Sequence, residues 1–248
     1  MSRNKTQDAS VRVREAFVET PAHRAAGGWV SLLRGRGYFD AEYLYETSTG
    51  ADQPFPFDFD AFHANTTPFR IGAVRADTGE MTYWGREDIT DNASLVRRVR
   101  ASSTMPGLMR TPIIDGHPYV DGALGPTGGF PIDAALDDGF TTFLVVMSRA
   151  RSYVKSPVTR PGLVWQTFRR FPAVAEAIIQ RPERYNNTRT QLFELEANHS
   201  AYLYCPTDLT VSNRERNLAK LQASYRAGER QAELEWPDIL AFLERHSE

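Results

Sequence analysis

The sequence predicts an α/β fold in three layers with a largely parallel sheet. Residues 142–148 and 201–205 are short, nearly continuous apolar runs, which are typical of strands covered on both faces. Segments with apolar residues at helical spacing lie between and after these runs, so strands alternate with helices as in a layered α/β domain. The chain has 248 residues, of which 41% are hydrophobic, and this is enough to form a sizeable core.

The first part of the chain predicts two helices and a hairpin. Apolar spacing indicates a helix over residues 11–18, and a second, short helix follows an aromatic, acidic loop at residues 57–65. Residues 69–76 and 80–84 predict two strands, because their side chains partly alternate and Asp77-Thr78-Gly79 between them is typical of a β-turn.

A second hairpin is predicted further along the chain. Residues 91–100 carry apolar side chains at helix spacing and predict a helix. Asp115-Gly116 indicates a tight turn between two short apolar runs, residues 112–114 and 118–120. A helix is then predicted over residues 131–136, with proline at its first position, where the missing N–H costs nothing.

The last part of the chain is predicted to be mainly helical and divided by prolines. Because proline interrupts intrahelical hydrogen bonding, we expect separate helices over residues 163–171, 173–180, 182–198, 213–231 and 238–245. The expected organisation is a first part, residues 1–150, and a mainly helical extension, residues 151–248, packed on the same domain.

Charge and motif content argue against several classes of protein. The net charge is −2 and the isoelectric point about 6.2, which disfavours a nucleic-acid partner. Cys205 is the single cysteine, so an internal disulfide and a cysteine-based zinc site are not expected. The sequence shows no metal-binding histidine spacing and no phosphate-binding loop, and we expect neither a metal nor a cofactor. No apolar signal segment is visible near residue 1, which favours a cytoplasmic protein.

Residues 151–190 form a basic segment with interleaved aromatic side chains. It holds seven arginines, one lysine and two acids, a net charge of 8 − 2 = +6, and such a segment could lie near anionic lipid. A solvated helical face is the favoured interpretation, because prolines interrupt a continuous amphipathic stripe. Peripheral membrane contact stays open.

Asp121 is the carboxylate that the sequence places best for chemistry. It ends a short predicted strand, Gly122 follows with no side chain to block the approach of a ligand, and further glycines keep the next loop open. Ligands in open α/β sheets gather outside the carboxyl ends of strands, where a carboxylate can serve as a general base. The alternative, which residue types alone favour, is that Asp121-Gly122 is only a turn or the start of a helix.

Ser102 and Ser103 are candidate nucleophiles, since both follow a predicted helix. Paired serines in this position more often bond to nearby backbone groups, and that is the favoured interpretation. No G-x-S-x-G motif occurs anywhere in the sequence, so the usual strained turn that presents a nucleophilic serine is not found.

Residues 99–149 resemble the C-terminal half of a patatin-like phospholipase domain. The similarity lies in R-A-S-S-x-x-P, a pair of apolar strands, Y-V-D-G-A, a helix that begins with proline, and a final apolar strand containing L-V-V. Residues 35–46 and 75–84 also resemble bacterial members of this family. The ordered set covers about fifty residues and is more specific than D-G-A alone.

The resemblance implies a three-layer α/β/α acyl hydrolase that acts on a lipid or a small ester. Such enzymes use a Ser–Asp dyad, in which a serine in G-x-S-x-G attacks the ester carbonyl and the aspartate of D-G-A is its base. By resemblance Asp121 is that aspartate, and Gly122 and Ala123 complete the motif. Arg100, Ser102 and Ser103 match a supporting segment of the family and not its nucleophile.

The departure from the family pattern is that this sequence has neither the oxyanion loop nor G-x-S-x-G. In the family both precede the segment that matches residues 11–20, so the expectation is an N-terminally incomplete domain without its first strands and nucleophile elbow. A chain without a nucleophile is expected to be inactive. The alternatives are a hydrolase recorded from an internal start, which upstream in-frame DNA would reveal, and a non-catalytic protein that binds a lipid or another protein. The oligomeric state stays open.

Overall fold

The structure is a computed structural model that describes Val18 and residues 57–209, 211–212, 215 and 217–246. Apart from Val18, the helix predicted over residues 11–18 lies outside the described residues. The helices are α1 Phe59–Ala64, α2 Asn92–Ser102, α3 Ile132–Asp137, α4 Pro161–Thr167, α5 Pro172–Ala197 and α6 Leu218–Arg245. The strands are β1 Ile71–Arg75, β2 Met81–Trp84, β3 Ile113–Ile114, β4 His117–Asp121, β5 Phe143–Val146 and β6 Ala201–Tyr204, with 3₁₀ turns at Arg86–Asp88 and Gly122–Leu124.

The chain divides into two compact units. The hairpin unit consists of Arg24–Ala135 and Lys155–Thr188, and the parallel-strand unit consists of Met1–His23, Leu136–Val154 and Arg189–Glu248. The division at residue 150 that the sequence suggests stays a prediction. None of the helices in the described part of the chain is both long and apolar enough to cross a membrane.

Both predicted hairpins form, and together they make a four-stranded sheet in the order β2-β1-β4-β3. All three pairings are antiparallel. The turns explain the pairings within each hairpin: Gly79 has φ +81°, and Asp115 and Gly116 have φ +49° and +81°, so each turn reverses the chain within a few residues. The α/β class is confirmed, but this larger sheet is antiparallel where a largely parallel sheet was expected.

The parallel pairing lies in the other unit, where β5 pairs with β6 from Phe143↔Ala201 to Val146↔Tyr204. Both strands were predicted from their apolar runs. Phe143 is buried, whereas Leu144 and Val146 are 42% and 72% exposed. The expectation that β5 is covered on both faces was therefore wrong, because alternate side chains of a strand point to opposite faces and the outward ones here are open.

The four-stranded sheet is covered by helices on both faces. On one face the buried side chains of β1 and β4 pack with Val174 and Ala177 of α5. On the other face Ala73, Trp84 and Tyr119 pack with Ala101 of α2. Neighbouring residues of one strand alternate between these two clusters, as the pleat requires. The hairpin unit thus has the helix–sheet–helix layering that the sequence predicts.

Two of the predicted helix breaks are wrong. Helix α5 is continuous through Pro182 and α6 is continuous through Pro237, although each proline removes one backbone donor. On α5 the packing on either side outweighs that cost, since Val174 and Ala177 are buried before Pro182 and Tyr185 is buried after it. Pro172 does separate two helices, and it stands at the first position of α5.

Candidate active site at the end of β4

Asp121 is the last residue of β4 and is held there by its own backbone and side chain. Its N–H donates to the carbonyl oxygen of Thr104 at 2.9 Å, and it pairs with Ala73 of β1. Its Oδ1 accepts the N–H of Ala123 at 2.8 Å, so Asp121 caps the 3₁₀ turn Gly122–Leu124. Asp121 therefore does start a turn, as the alternative interpretation expects. This capping role is compatible with a chemical role for its carboxylate.

Gly122 lies against the backbone of β1. A Cβ atom at this position would overlap the carbonyl oxygen of Gly72 and lie 2.9 Å from its carbonyl carbon. The sequence interpretation treated Gly122 as leaving room for a ligand, whereas the structure shows that it leaves room for the neighbouring strand. A glycine is needed here because of this close approach, which fixes where Asp121 leaves the sheet.

Asp121 faces a cavity of about 420 Å³ in the hairpin unit. This volume lies within the range of small-molecule sites. The cavity brings the D-G-A motif together with the end of α2 and with β1 and β2, and its lining includes Gly72, Tyr83, Ser102, Ser103, Asp121, Gly122, Ala123 and Phe130. The sequence candidates at residues 102, 103 and 121–123 therefore share one cavity.

Ser103 and Thr104 at the end of α2 both bond to backbone carbonyls of that helix. Ser103 caps the helix, and its hydroxyl donates to the carbonyl oxygens of Val99 and Arg100 at 3.0 and 3.3 Å. This is the local backbone role that its sequence favoured. Thr104, which the sequence analysis missed, is fully buried and donates to the carbonyl oxygen of Arg100 at 2.7 Å. Its own carbonyl holds the N–H of Asp121, so this segment supports the end of β4.

Burial raises the pKa of the Asp121 carboxyl above its usual value, because the charged form loses water. The hydrogen bond from the Ala123 N–H and the charge of Arg181 both lower the pKa and so limit its rise. A carboxylate with a raised pKa is a stronger base when ionised, and that is the property a proton acceptor needs.

Two arginines of α5 hold the turn that follows Asp121. Arg181 Nε donates to the carbonyl oxygen of Ala123 at 2.9 Å, and Arg184 Nη1 donates to that of Leu124 at 3.2 Å. In the sequence, both arginines stand out only as part of a basic segment. Their spacing of three residues places them on one helix face, but no sequence signal connects that face to the D-G-A turn.

The sequence model of the family described as patatin-like phospholipase matches residues 2–136, which is more than half of the chain. The chain belongs to the patatin-like phospholipase family. The resemblance drawn from residues 99–149 is thereby confirmed, and with it the assignment to a family of lipid hydrolases. A second model, described as a domain of unknown function (DUF6363), matches residues 171–244. A search of curated proteins found no match.

The two matched segments meet in the hairpin unit of this patatin-like chain. The patatin-like match contains β1 to β4 and Asp121, and the second match contains α5 with Arg181 and Arg184. The contacts from these arginines to Ala123 and Leu124 therefore join the phospholipase motif to the domain of unknown function.

Two other titratable side chains, His117 and Cys205, do not line this cavity. His117 Nδ1 lies 3.0 Å from Arg75 Nη2 and 3.5 Å from Asp77, at the far end of β4 from Asp121. Cys205 is buried with its Sγ 3.3 Å from Met147 Sδ, and burial raises the pKa of its thiol, as in an unreactive cysteine. Among the described residues, no group of three His, Cys, Asp or Glu side chains could hold a metal ion.

Several cations of the basic segment are used within the protein. Arg151 forms a two-pronged pair with Glu196 at 2.6 Å, and the buried Arg189 donates to the carbonyl oxygen of Arg151 at 2.7 Å. Arg181 and Arg184 hold the turn after Asp121. These four arginines of residues 151–190 are thus engaged by groups of the protein, and both interpretations of the segment stay predictions.

The raised pKa of Asp121 predicts that removing its charge stabilises the protein. A carboxyl whose folded-state pKa lies above its unfolded value of 3.8 destabilises the fold when it is ionised. This destabilisation is complete when the pH is above the folded-state pKa, and it is absent when the pH is below 3.8. Asn keeps an oxygen for the Ala123 N–H, so Asp121→Asn should raise the melting temperature at pH 7. Differential scanning fluorimetry should show this gain shrinking as the pH falls towards 3.8.

The matched control for that measurement is Asp115→Asn. Asp115 lies on the β3–β4 turn, where its side chain is 83% exposed, so the same chemical change removes no desolvated charge. A melting temperature for Asp121→Asn at pH 7 that is at or below that of the unchanged protein would show that the ionised Asp121 carboxyl does not destabilise the fold.

Proposed function

We propose that this chain carries the aspartate of a Ser–Asp dyad in a lipid acyl hydrolase, with Asp121 as the general base. The observation that supports this most directly is a partly buried carboxylate at the end of a strand, facing a cavity of about 420 Å³ and oriented by the Ala123 N–H. A capping aspartate on an exposed turn would have no reason to be desolvated. Membership of the patatin-like phospholipase family supplies the substrate class, an ester of a lipid.

In the proposed reaction Asp121 takes the proton from a serine hydroxyl as the serine oxygen bonds to the ester carbonyl carbon. The ester C–O bond then breaks, and the leaving alcohol receives the proton from Asp121. A water molecule, deprotonated by the same carboxylate, attacks the acyl-serine. The fatty acid then leaves as Asp121 returns the proton to the serine oxygen. Gly122 and Ala123 hold the base in place, through the close approach to β1 and the hydrogen bond to Oδ1.

The serine of this dyad is not assigned to any of the 248 residues. No G-x-S-x-G occurs among them, and Ser103, which shares the cavity, is occupied in capping α2. We therefore propose that these residues alone do not turn over an ester. The second candidate function follows from the same observation: a patatin-like scaffold that binds a lipid or a protein without hydrolysing it.

The hydrolase and the binding protein predict different results when a nucleophile is supplied. Hydrolysis of a nitrophenyl ester should be absent for the 248 residues and should appear when a patatin-like segment with the oxyanion loop and G-x-S-x-G precedes them. In the active chain, Asp121→Asn should lower turnover by about 10²- to 10⁴-fold. Turnover by the 248 residues that survives Asp121→Asn would contradict the dyad, and a folded extended chain without turnover would favour the binding function.

A further inference from the structure

The turn after Asp121 has carbonyl groups that need partners from elsewhere. The 3₁₀ turn Gly122–Leu124 closes one bond of its own, from the Gly125 N–H to the Gly122 carbonyl oxygen at 3.0 Å. The carbonyls of Ala123 and Leu124 lie at its C-terminal end, where a helix leaves its last acceptors unpaired. A polar group left unpaired near a protein interior costs free energy, so such a turn needs external donors.

Helix α5 supplies these donors. Arg181 Nε donates to Ala123 and Arg184 Nη1 to Leu124, at 2.9 and 3.2 Å. Arg184 also donates to Gln180 Oε1, and the Gln180 amide donates to Glu176 at 2.8 Å, so the guanidinium of Arg184 is itself fixed. Bonds from a charged donor are stronger than those between neutral groups.

Ala123 joins Arg181 to Asp121. Its carbonyl accepts from Arg181 at 2.9 Å, while its N–H donates to Asp121 Oδ1 at 2.8 Å. Both groups belong to one residue, so fixing the carbonyl limits the backbone torsions that aim the N–H. The position of the Asp121 carboxylate thus depends on a guanidinium that does not touch it.

Helix α5 does not need Arg181 to stay in place. Val174 and Ala177 pack in the cluster beneath the sheet, and a Cβ atom on Gly128 would lie 2.5 Å from the backbone nitrogen of Tyr185. Helix α5 is therefore in close contact with the cluster beneath the sheet before residue 181 and with the loop after it. The Arg181 bond adds little to the anchoring of the helix, and its main effect falls on the turn.

Among the described residues that line the cavity, few others carry a charge. From the sheet, Arg70 and Tyr83 line the cavity, and the Tyr83 hydroxyl donates to Asp133 of α3 at 2.6 Å. The end of α2 contributes uncharged serines. Arg181 is the cation whose charge lowers the pKa of Asp121, so it opposes the effect of burial on the base.

We propose that Arg181 is a positioning residue for Asp121, and that α5, within the segment matched by the domain of unknown function, holds the Asp121–Ala123 turn in its working geometry. This inference rests on the proposed role of Asp121 as the base. On this inference, the segment matched by the domain of unknown function contributes a positioning residue to the phospholipase site, although that segment lies outside the phospholipase match.

The test is a carboxyl NMR titration of Asp121 together with amide hydrogen exchange at Ala123, on the 248-residue protein. In Arg181→Gln, the pKa of Asp121 should rise, and the Ala123 amide should exchange about tenfold faster, as expected when one charge-assisted bond is lost. Arg181→Lys keeps the charge without the Nε donor, so Ala123 exchange should rise while the pKa of Asp121 moves less. Circular dichroism would establish that each variant is folded.

Arg184→Gln is the matched control, because Arg184 holds the next carbonyl but does not contribute to the pKa of Asp121. The Asp121 titration in this variant should match that of the unchanged protein. A folded Arg181→Gln protein with unchanged titration and exchange would overturn the proposal, as would an equal pKa rise in Arg184→Gln. If Arg181→Gln does not fold, faster Ala123 exchange in Arg181→Lys supports the proposal and unchanged exchange overturns it.

The outcomes separate this proposal from that of the dyad. The titration and exchange measurements need no ester hydrolysis, so failure in the Arg181 variants removes the positioning role and leaves Asp121 as a candidate base. Full turnover in Asp121→Asn would contradict the dyad, but it would not affect the evidence that Arg181 contacts the turn.

Discussion

Asp121→Asn should lower ester turnover by about 10²- to 10⁴-fold in a chain that carries a patatin-like nucleophile, since this is the usual contribution of a general base. The Asn side chain can still accept the Ala123 N–H that now reaches Oδ1 at 2.8 Å, but it cannot accept a proton from serine at neutral pH. The fold should be kept, so the loss should appear in kcat. Steady-state kinetics on a nitrophenyl ester would measure it.

Asp115→Asn serves as the control for activity as well as for stability. It makes the same chemical change six residues away, on a turn whose side chain is 83% exposed, and it should leave kcat unchanged. Equal losses in both variants would point to a general effect of charge. An Asp121→Asn enzyme with full turnover would show that the base lies elsewhere.

Gly122→Ala should destabilise the protein by about 1–3 kcal/mol, the usual cost of forcing extra atoms into a packed site. The new methyl group would overlap the Gly72 carbonyl oxygen and lie 2.9 Å from the carbonyl carbon. Both atoms belong to the backbone of β1, so no side chain can rotate to make room. For a protein of this size, the melting temperature should fall by about 2–4 °C for each kcal/mol, which thermal or urea unfolding would detect.

Gly162→Ala is the control for that substitution. Nothing lies within 4 Å of a Cβ atom at Gly162, and its φ is not in the left-handed region, so alanine there should be neutral or slightly stabilising. The comparison separates the contact with β1 from the general effect of replacing glycine. A Gly122→Ala protein as stable as Gly162→Ala would show that β1 and β4 can move apart at little cost.

Local features of the sequence predicted the hairpins and the place of Asp121. Asp77-Thr78-Gly79 and Asp115-Gly116 determine tight reversals through short-range backbone preferences, and β4 ends where its apolar run ends. These features need only a few neighbouring residues, and the resemblance to the patatin-like family then assigned a role to one of them.

The features that the sequence did not predict depend on contacts between distant parts of the chain. Arg181 lies 58 residues from Ala123, and nothing in a basic helical segment reveals which carbonyl it meets. Pro182 and Pro237 were interpreted as helix breaks by a local rule, whereas both helices are continuous. Tertiary packing outweighed the local rule for α5, as it often does for intrinsic propensity.

The hydrogen bond from Ala123 to Asp121 also makes the two carboxylate oxygens chemically distinct. Oδ1 accepts the Ala123 N–H at 2.8 Å, which uses part of its capacity as an acceptor and limits rotation of the carboxylate. In the proposed dyad, Oδ2 would then be the better placed atom to accept a proton from the serine. The direction from which the serine hydroxyl approaches would therefore be restricted by the protein before any substrate binds.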